Sequence, residues 1–428
     1  MKPRIAVIGS GIAGMAVAYY LRKDCDVTLI EKAAYPGGHT NTVTVESKGK
    51  RLPVDTGFMV FNETTYPNLT RLFAELEVST YDTSMSFGVR DAARKLEFAC
   101  SNASSFFAQK RNLANPNHWK LYREILAFFE AAKRLIREKP EPDFKLKDFA
   151  ARYRLSDAVM QRFVLPMAGA IWSTPHEDLM DFSALPLLRF MENHRMLGVG
   201  IQYQWKTVER GSSQYKRKLL SALPNPAQLN RRISGIGQNE SGAYFHDENG
   251  DRCAFDQIII ATHADQALSL LESPSDQERT LLGAFRYSRN PVTLHTDENV
   301  MPRAKGAWAS WNVLNEEGRN GKTHASTHYW MNSLQSLDTN DNLFVSVDYQ
   351  GLIRPDRIRW RASYEHPQFD TQAIAAQSNL ATLNQSGRIR YCGSYFRNGF
   401  HEDALWSGLN VVRSILERKG SRHELLPL

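Results

Sequence analysis

Ile5-Ala6-Val7-Ile8-Gly9-Ser10-Gly11-Ile12-Ala13-Gly14-Met15-Ala16-Val17-Ala18 is the stretch that decides the fold. A short apolar, β-branched run stops at a glycine, two more glycines follow at fixed offsets, and a helix of small residues opens behind them. Gly9 lets the chain turn, Gly11 lets the backbone approach a pyrophosphate, and Gly14 lets helix and strand pack closely. The diphosphate is then expected at the helix N-terminus, over Ile12 and Ala13, where free N–H groups and the helix dipole favour negative charge. Val27-Thr28-Leu29-Ile30 reads as a second buried strand and ends in Glu31, which lies 22 residues after Gly9. That spacing closes a βαβ unit and places a carboxylate where adenosine ribose hydroxyls are bound. Lys2 and Arg4 ahead of an apolar segment imitate a secretion signal. Cleavage after Ala18 would destroy the βαβ unit, so that reading is rejected.

Outward from this unit, the chain has 428 residues, 42% hydrophobic and 23% charged, which excludes disorder and allows two or three domains. The net charge of +7 is modest for this length and speaks against a dedicated nucleic-acid binder. An anionic substrate or a membrane surface fits it better. Four cysteines without CxxC spacing suggest neither a disulfide framework nor a zinc ribbon, and a cytoplasmic setting follows. His324 and His328 fall on one strand face without a companion carboxylate or cysteine motif, so no metal is expected.

After Glu31 the sequence continues Lys32-Ala33-Ala34-Tyr35-Pro36-Gly37-Gly38-His39-Thr40, and further on Val54-Asp55-Thr56-Gly57-Phe58. A second glycine pair and a third small-residue approach point bring more backbone toward a dinucleotide. At these residues the chain resembles the flavin-containing amine oxidase and phytoene desaturase superfamily, which implies FAD. His39 stands where the superfamily usually has an arginine. The resemblance implies a discontinuous FAD domain, and two further segments answer to it. Phe255 to Thr262 is similar to the strand that leaves the FAD domain, with Ala261 and Thr262 at its end and Ile233 at the adenine-contacting position. Gly393-Ser394 matches the ribityl and phosphate segment. Gly399-Phe400-His401-Glu402-Asp403-Ala404 matches the turn under the isoalloxazine, ahead of a helix from Leu409 to Arg418. Phe400 replaces the tyrosine that often walls the amine cage. Arg210, in Glu209-Arg210-Gly211, replaces one glycine of the superfamily's Gly-Gly turn.

The expected fold is therefore α/β: a Rossmann-like FAD-binding domain (1–59, 206–265, 371–428) interleaved with an α+β substrate domain. The substrate segments are 60–205, largely helical, and 266–370, rich in strands. Residues 421–428 read as a loose tail. Apolar positions recurring at three- and four-residue steps mark an amphipathic helix from His118 to Arg137. Between Lys110 and Lys139 eight basic residues face three acidic ones, a candidate contact for anionic lipid headgroups. Helical stretches with Met160, Phe163, Met167, Leu187, Phe190 and Met191 offer the lining of an apolar tunnel.

A narrower resemblance rests on Val54 to Glu63, Tyr329 to Gln335, Tyr364-Glu365-His366-Pro367 and Gly399 to Asp403. These stretches are similar to a bacterial branch of predicted NAD/FAD-binding oxidoreductases associated with enzymes that methylate or cyclopropanate fatty acids. The resemblance implies an FAD-dependent desaturase of a long modified acyl chain, free or in phospholipid, at the inner face of the membrane and beside a lipid methyltransferase. The alternatives are an amine oxidase, a carotenoid-type desaturase or isomerase, and a flavin-binding partner without turnover. Glu63, Tyr66 and His401 are the candidates for work beside the isoalloxazine.

Overall fold

The computed structural model of the protein describes residues 1–141, 144–172, 179–198, 203–317 and 323–418; the tail at 421–428 lies outside them. At its centre is a four-stranded parallel sheet in the order Ile389–Tyr391, Gln257–Ile260, Arg4–Ile8, Asp26–Ile30. Ile5 pairs with Gln257 on one side and Val27 on the other. Gln228 bridges the outer edge at Ile30. Such strands are apolar throughout because both faces are covered. Ile5, Val7 and Ile259 pack against the helices Ile12–Leu21 and His401–Arg418. Their neighbours Ala6, Ile8, Ile258 and Ile260 join the core on the opposite face, with Ile236, Phe245 and Phe255 of a three-stranded antiparallel sheet. The two helices touch at Gly408, where a Cβ would come within 2.9 Å of Ala13 O.

The second large element is a seven-stranded sheet. Its order is Ile358–Gln368, Arg286–His295, Phe344–Val347, Thr323–Trp330, Trp311–Glu317, Phe87–Asp91, Leu96–Ala99. Its last two strands come from the stretch read as largely helical. Phe87–Asp91 pairs in parallel with Trp311–Glu317, more than 200 residues away, so no local pattern announces it. One face is covered by the helix Pro116–Glu138 and the segment Asp157–Trp172, which is helical with a π-helical stretch at Met160–Val164. Phe87, Phe128 and Phe129 each meet Phe163 nearly edge to face. Each such ring removed from water stabilises the core by about 1.5–3 kcal/mol. On the other face Val292, Leu294 and Val345 pack against Val45, Leu52 and Val54 of the hairpin Thr42–Asp55. This hairpin ties the seven-stranded sheet to the glycine-rich end of the parallel one. Both ring nitrogens of His328 are taken by the hydroxyls of Ser326 and Ser346.

Candidate functional site

The strand Arg4–Ile8 ends in a turn that only glycine can make. Gly9 has φ +101°, its N–H donates to Ile30 O at 2.8 Å, and a Cβ on it would lie 2.7 Å from Ala261 O. At Gly14 a Cβ would fall 1.9 Å from Gly9 O. Gly11 is different: its backbone is extended at the helix N-cap, and an added Cβ would meet nothing within 4 Å. Open backbone and the unpaired N–H groups of the first turn, Ile12 and Ala13 included, therefore lie together. The second glycine pair closes on this turn. Gly37 (φ +119°) donates to Ser10 Oγ, and a Cβ on Gly38 (φ +55°) would be 3.5 Å from Gly11 Cα. Gly57 is the third point of approach, since a Cβ there would be 2.2 Å from His39 O. Phe58 N donates to the same carbonyl.

Glu31 accepts from Ser10 N (3.0 Å), Ser10 Oγ (2.7 Å) and Ala33 N (2.9 Å), which holds the end of the second strand against the turn. Its carbonyl accepts from Arg231 N, so the chain leading to Ile233 runs alongside it. Lys32 points to solvent. Ala261 N continues the sheet to Ile8 O, Thr262 O approaches Gly393, and Gly393 N donates to Ser407 Oγ, with Ser394 next in the chain.

A group of rings surrounds the far end. His39 lies 4.8 Å from Tyr364, 5.3 Å from His366 and 6.4 Å from His263, centroid to centroid. Its Nε2 is buried and has no hydrogen-bond partner among the described residues. His401 stacks on Phe58 at 4.0 Å, and its Nε2 meets Tyr215 OH at 2.6 Å. Tyr215 in turn bonds Thr40. Burial first, and a neighbouring histidine second, lower His39 to about 4 and His366 and His401 to about 3. Burial, then the Lys32 charge and His366, lowers His263 to about 4. All four rings are neutral at pH 7.

The helix His401–Arg418 begins eight residues earlier than the expected Leu409 start, so the turn motif is its first turn. The cause is Asp403, which accepts from Phe400 N at 2.9 Å as a capping residue does. Burial raises Asp403 to about 7. Glu402 faces away from the ring group and accepts from Asn68 N, Asn68 Nδ2 and Leu69 N. Ala404 is buried beneath the turn. Glu63 is 58% exposed and paired with Lys206 at 2.7 Å. Tyr66 is buried against the rings of His194 and Trp205. The three candidates thus occupy separate places, and only His401 joins the ring group. Sequence reasoning missed Tyr215 and His263, and it quoted Gln335, Tyr364 and His366 only as carriers of the narrower resemblance, without a place in the site.

Asp55 anchors the floor of this region. It is buried and accepts from Thr42 Oγ1, from Ser212 N and Oγ, and from Gln335 Nε2, while its own N–H donates to Gln335 Oε1. Arg210, at φ +59°, supports the left-handed turn that Gly211 (φ +85°) completes against it. Asp55→Asn turns an amide donor on one of these donors. It should cost about 1–3 kcal/mol in urea unfolding, with the midpoint lowered and the slope unchanged.

These residues fit FAD. The open backbone at Gly11 would hold the diphosphate, Glu31 would take the ribose after releasing Ser10 and Ala33, and His39 Nε2 brings a nitrogen that no group among the described residues uses. The Phe400–Ala404 turn would present a helix N-terminus to the flavin.

Comparisons with known proteins agree. Among curated proteins, hydroxyneurosporene desaturase of Rubrivivax gelatinosus is 46% identical over 59 residues, 14% of this chain and 10% of its own. Carotenoid phi-ring synthase of Chlorobaculum tepidum is 32% identical over 97 residues, 22% of this chain and 15% of its own, so both likenesses are local. Among solved structures, cyclohexylamine oxidase of Brevibacterium oxydans superposes with a TM-score of 0.72 at 14% identity, covering 98% of this chain and all of the other. A CLA-producing fatty acid isomerase of P. acnes gives 0.65 at 13%, over 97% and 98% of the chains. These structures share the fold. The family profile described as flavin containing amine oxidoreductase matches residues 12–354, and with that match and the site above the chain belongs to this family, as an FAD-dependent oxidoreductase.

Proposed function

We propose that the enzyme desaturates a long acyl chain that carries a methyl branch or a double bond. The observation that carries this reading is the aromatic wall behind Phe400. Phe400 stacks on Phe190 at 4.5 Å, Phe190 stacks on His194 at 3.9 Å, and Trp172 flanks Phe190 at 5.5 Å. Burial lowers His194 to about 4, so it adds no charge. The neighbouring carboxylates are committed elsewhere: Glu402 to Asn68 and Leu69, Asp403 to the Phe400 amide, Glu63 to Lys206. Among the described residues a protonated amine would meet no spare anion here, whereas an apolar chain would meet matching surface. Likeness in fold to a fatty acid isomerase supports the reading, and so do the local likenesses to proteins named for carotenoids.

FAD, when bound, supplies the two-electron acceptor that takes hydride from an activated C–H. The vicinal hydrogen leaves as a proton that ends in bulk solvent, beyond the aromatic wall. Phe190 and Phe400 orient the chain, and with Trp172 they keep water from the reacting carbons. Phe400→Tyr places a hydroxyl against this wall and should lower kcat/KM for an acyl substrate about tenfold, without creating amine turnover. Fatty acid profiles of cells with and without the gene test the reading. A changed modified acyl species is expected, and an unchanged profile removes the lipid substrate.

A further inference from the structure

The helix Pro116–Glu138 buries Leu121, Ile125, Phe128, Phe129, Ala132 and Leu135, yet its outer face is not simply polar. Trp119 and Leu126, two turns apart on that face, are 41% and 37% exposed, and Leu113 just before the helix is 56% exposed. The indole Nε1 donates to Leu113 O at 2.9 Å and the ring packs on Phe107 at 4.5 Å, so this apolar group is fixed in place. The acids of the helix are already neutralised: Glu124 by Lys120, Glu130 by Lys133 and Glu138 by Arg134. Arg123 and Arg137, on the same strip as Trp119 and Leu126, and Lys110 beside Leu113, are exposed and form no ion pair among the described residues.

We infer that this face docks on an anionic phospholipid surface. A fixed tryptophan and two leucines ringed by uncommitted cations suit the boundary between headgroups and acyl chains, where rings and stems bury and cations meet phosphate. A second copy of the chain is the poorer occupant, because two such faces would set cation against cation. Among the described residues no helix is long and apolar enough to cross a membrane, so the contact is peripheral. The same helix packs on Ala184–Asn193, whose Phe190 stacks on Phe400, so one helical layer separates the docking face from the proposed acyl wall. The inference rests on the acyl reading only for its purpose.

Flotation of the full-length FAD-loaded enzyme with vesicles tests it without any substrate. Binding is expected to phosphatidylcholine vesicles with about one-third phosphatidylglycerol, not to pure phosphatidylcholine, and to weaken as salt rises. Arg123→Glu/Arg137→Glu and, separately, Leu126→Ser should each reduce binding at least tenfold with the melting temperature and flavin content unchanged. Equal binding to neutral and anionic vesicles, no binding, or variants that bind like the parent would overturn the inference. So would a dimer in solution that these substitutions dissociate. Failure of flotation leaves acyl oxidation in detergent untouched, and failure of acyl oxidation leaves flotation untouched.

Discussion

Gly14→Val is expected to yield protein without flavin. The added Cβ would lie 1.9 Å from Gly9 O, 3.1 Å from Gly9 C and 3.2 Å from Ala261 Cβ. Two of these are backbone atoms of the turn that ends the first strand, so no side-chain rotation relieves the overlap. The helix Ile12–Leu21 must move off the sheet, and its first-turn amides move with it. A displacement of about 1 Å at a positioned site costs on the order of a hundredfold, and overpacking adds about 1–3 kcal/mol of lost stability. FAD affinity should fall at least that far, read as the flavin-to-protein ratio and the Kd for added FAD. Gly11→Ala separates binding from folding. Its Cβ meets no protein atom and its φ of −61° suits alanine, so the FAD-free protein should melt as before while FAD binds more weakly. Gly14→Val with a full complement of flavin would contradict the site.

Acidification from pH 7 to pH 5 should destabilise the enzyme by several kcal/mol and loosen its hold on flavin. Burial lowers His39, His194, His263 and His295 to about 4, His366 and His401 to about 3, and His328 well below its ordinary value. A base whose folded pKa is depressed contributes stability above its unfolded pKa of about 6.5, and that stability is lost as pH falls toward the folded value. At pH 5 each of the six that fall to about 3 or 4 contributes a loss of about 1–2 kcal/mol, and His328 acts in the same direction. Asp55 and Asp403 act in the opposite sense, since burial raises them to about 6 and about 7. Their contribution is present below the unfolded carboxylate pKa and disappears as pH rises through 6 and 7, so acid favours them. Burial also raises Asp265, Asp348 and Glu402, which act in the same sense as Asp55 and Asp403, so the histidines outweigh the carboxylates by only part of the about 5–15 kcal/mol that stabilises an ordinary domain. Urea midpoints measured across this window should fall steeply on the acid side. A flat profile would mean that the rings are hydrated.

The dinucleotide turn was legible because its chemistry is local. Gly9, Gly11, Gly14 and Glu31 sit within one βαβ unit, and each is required by a turn, a close approach or a strand end. The early start of the last helix was also legible in principle, since Asp403 stands three residues after Phe400, the spacing of a capping pair. The ring group was legible only in its members: His39 and His401 stood out with the cofactor motifs, but nothing local brought them together with His263, Tyr364 and His366. His39, His263, Tyr364, His366 and His401 come from four distant stretches, and a histidine in isolation is as easily surface as core. Phe87–Asp91 escaped for the same reason: its partner lies more than 200 residues on, and its side chains follow sheet packing rather than any local period.

Anaerobic mixing of the FAD-loaded enzyme with phospholipid bearing a methyl-branched unsaturated acyl chain tests the central claim most directly. Bleaching of the flavin absorbance with formation of one new double bond per flavin is the result expected, with primary amines leaving the flavin oxidised. Bleaching by amines and none by any acyl donor would contradict it.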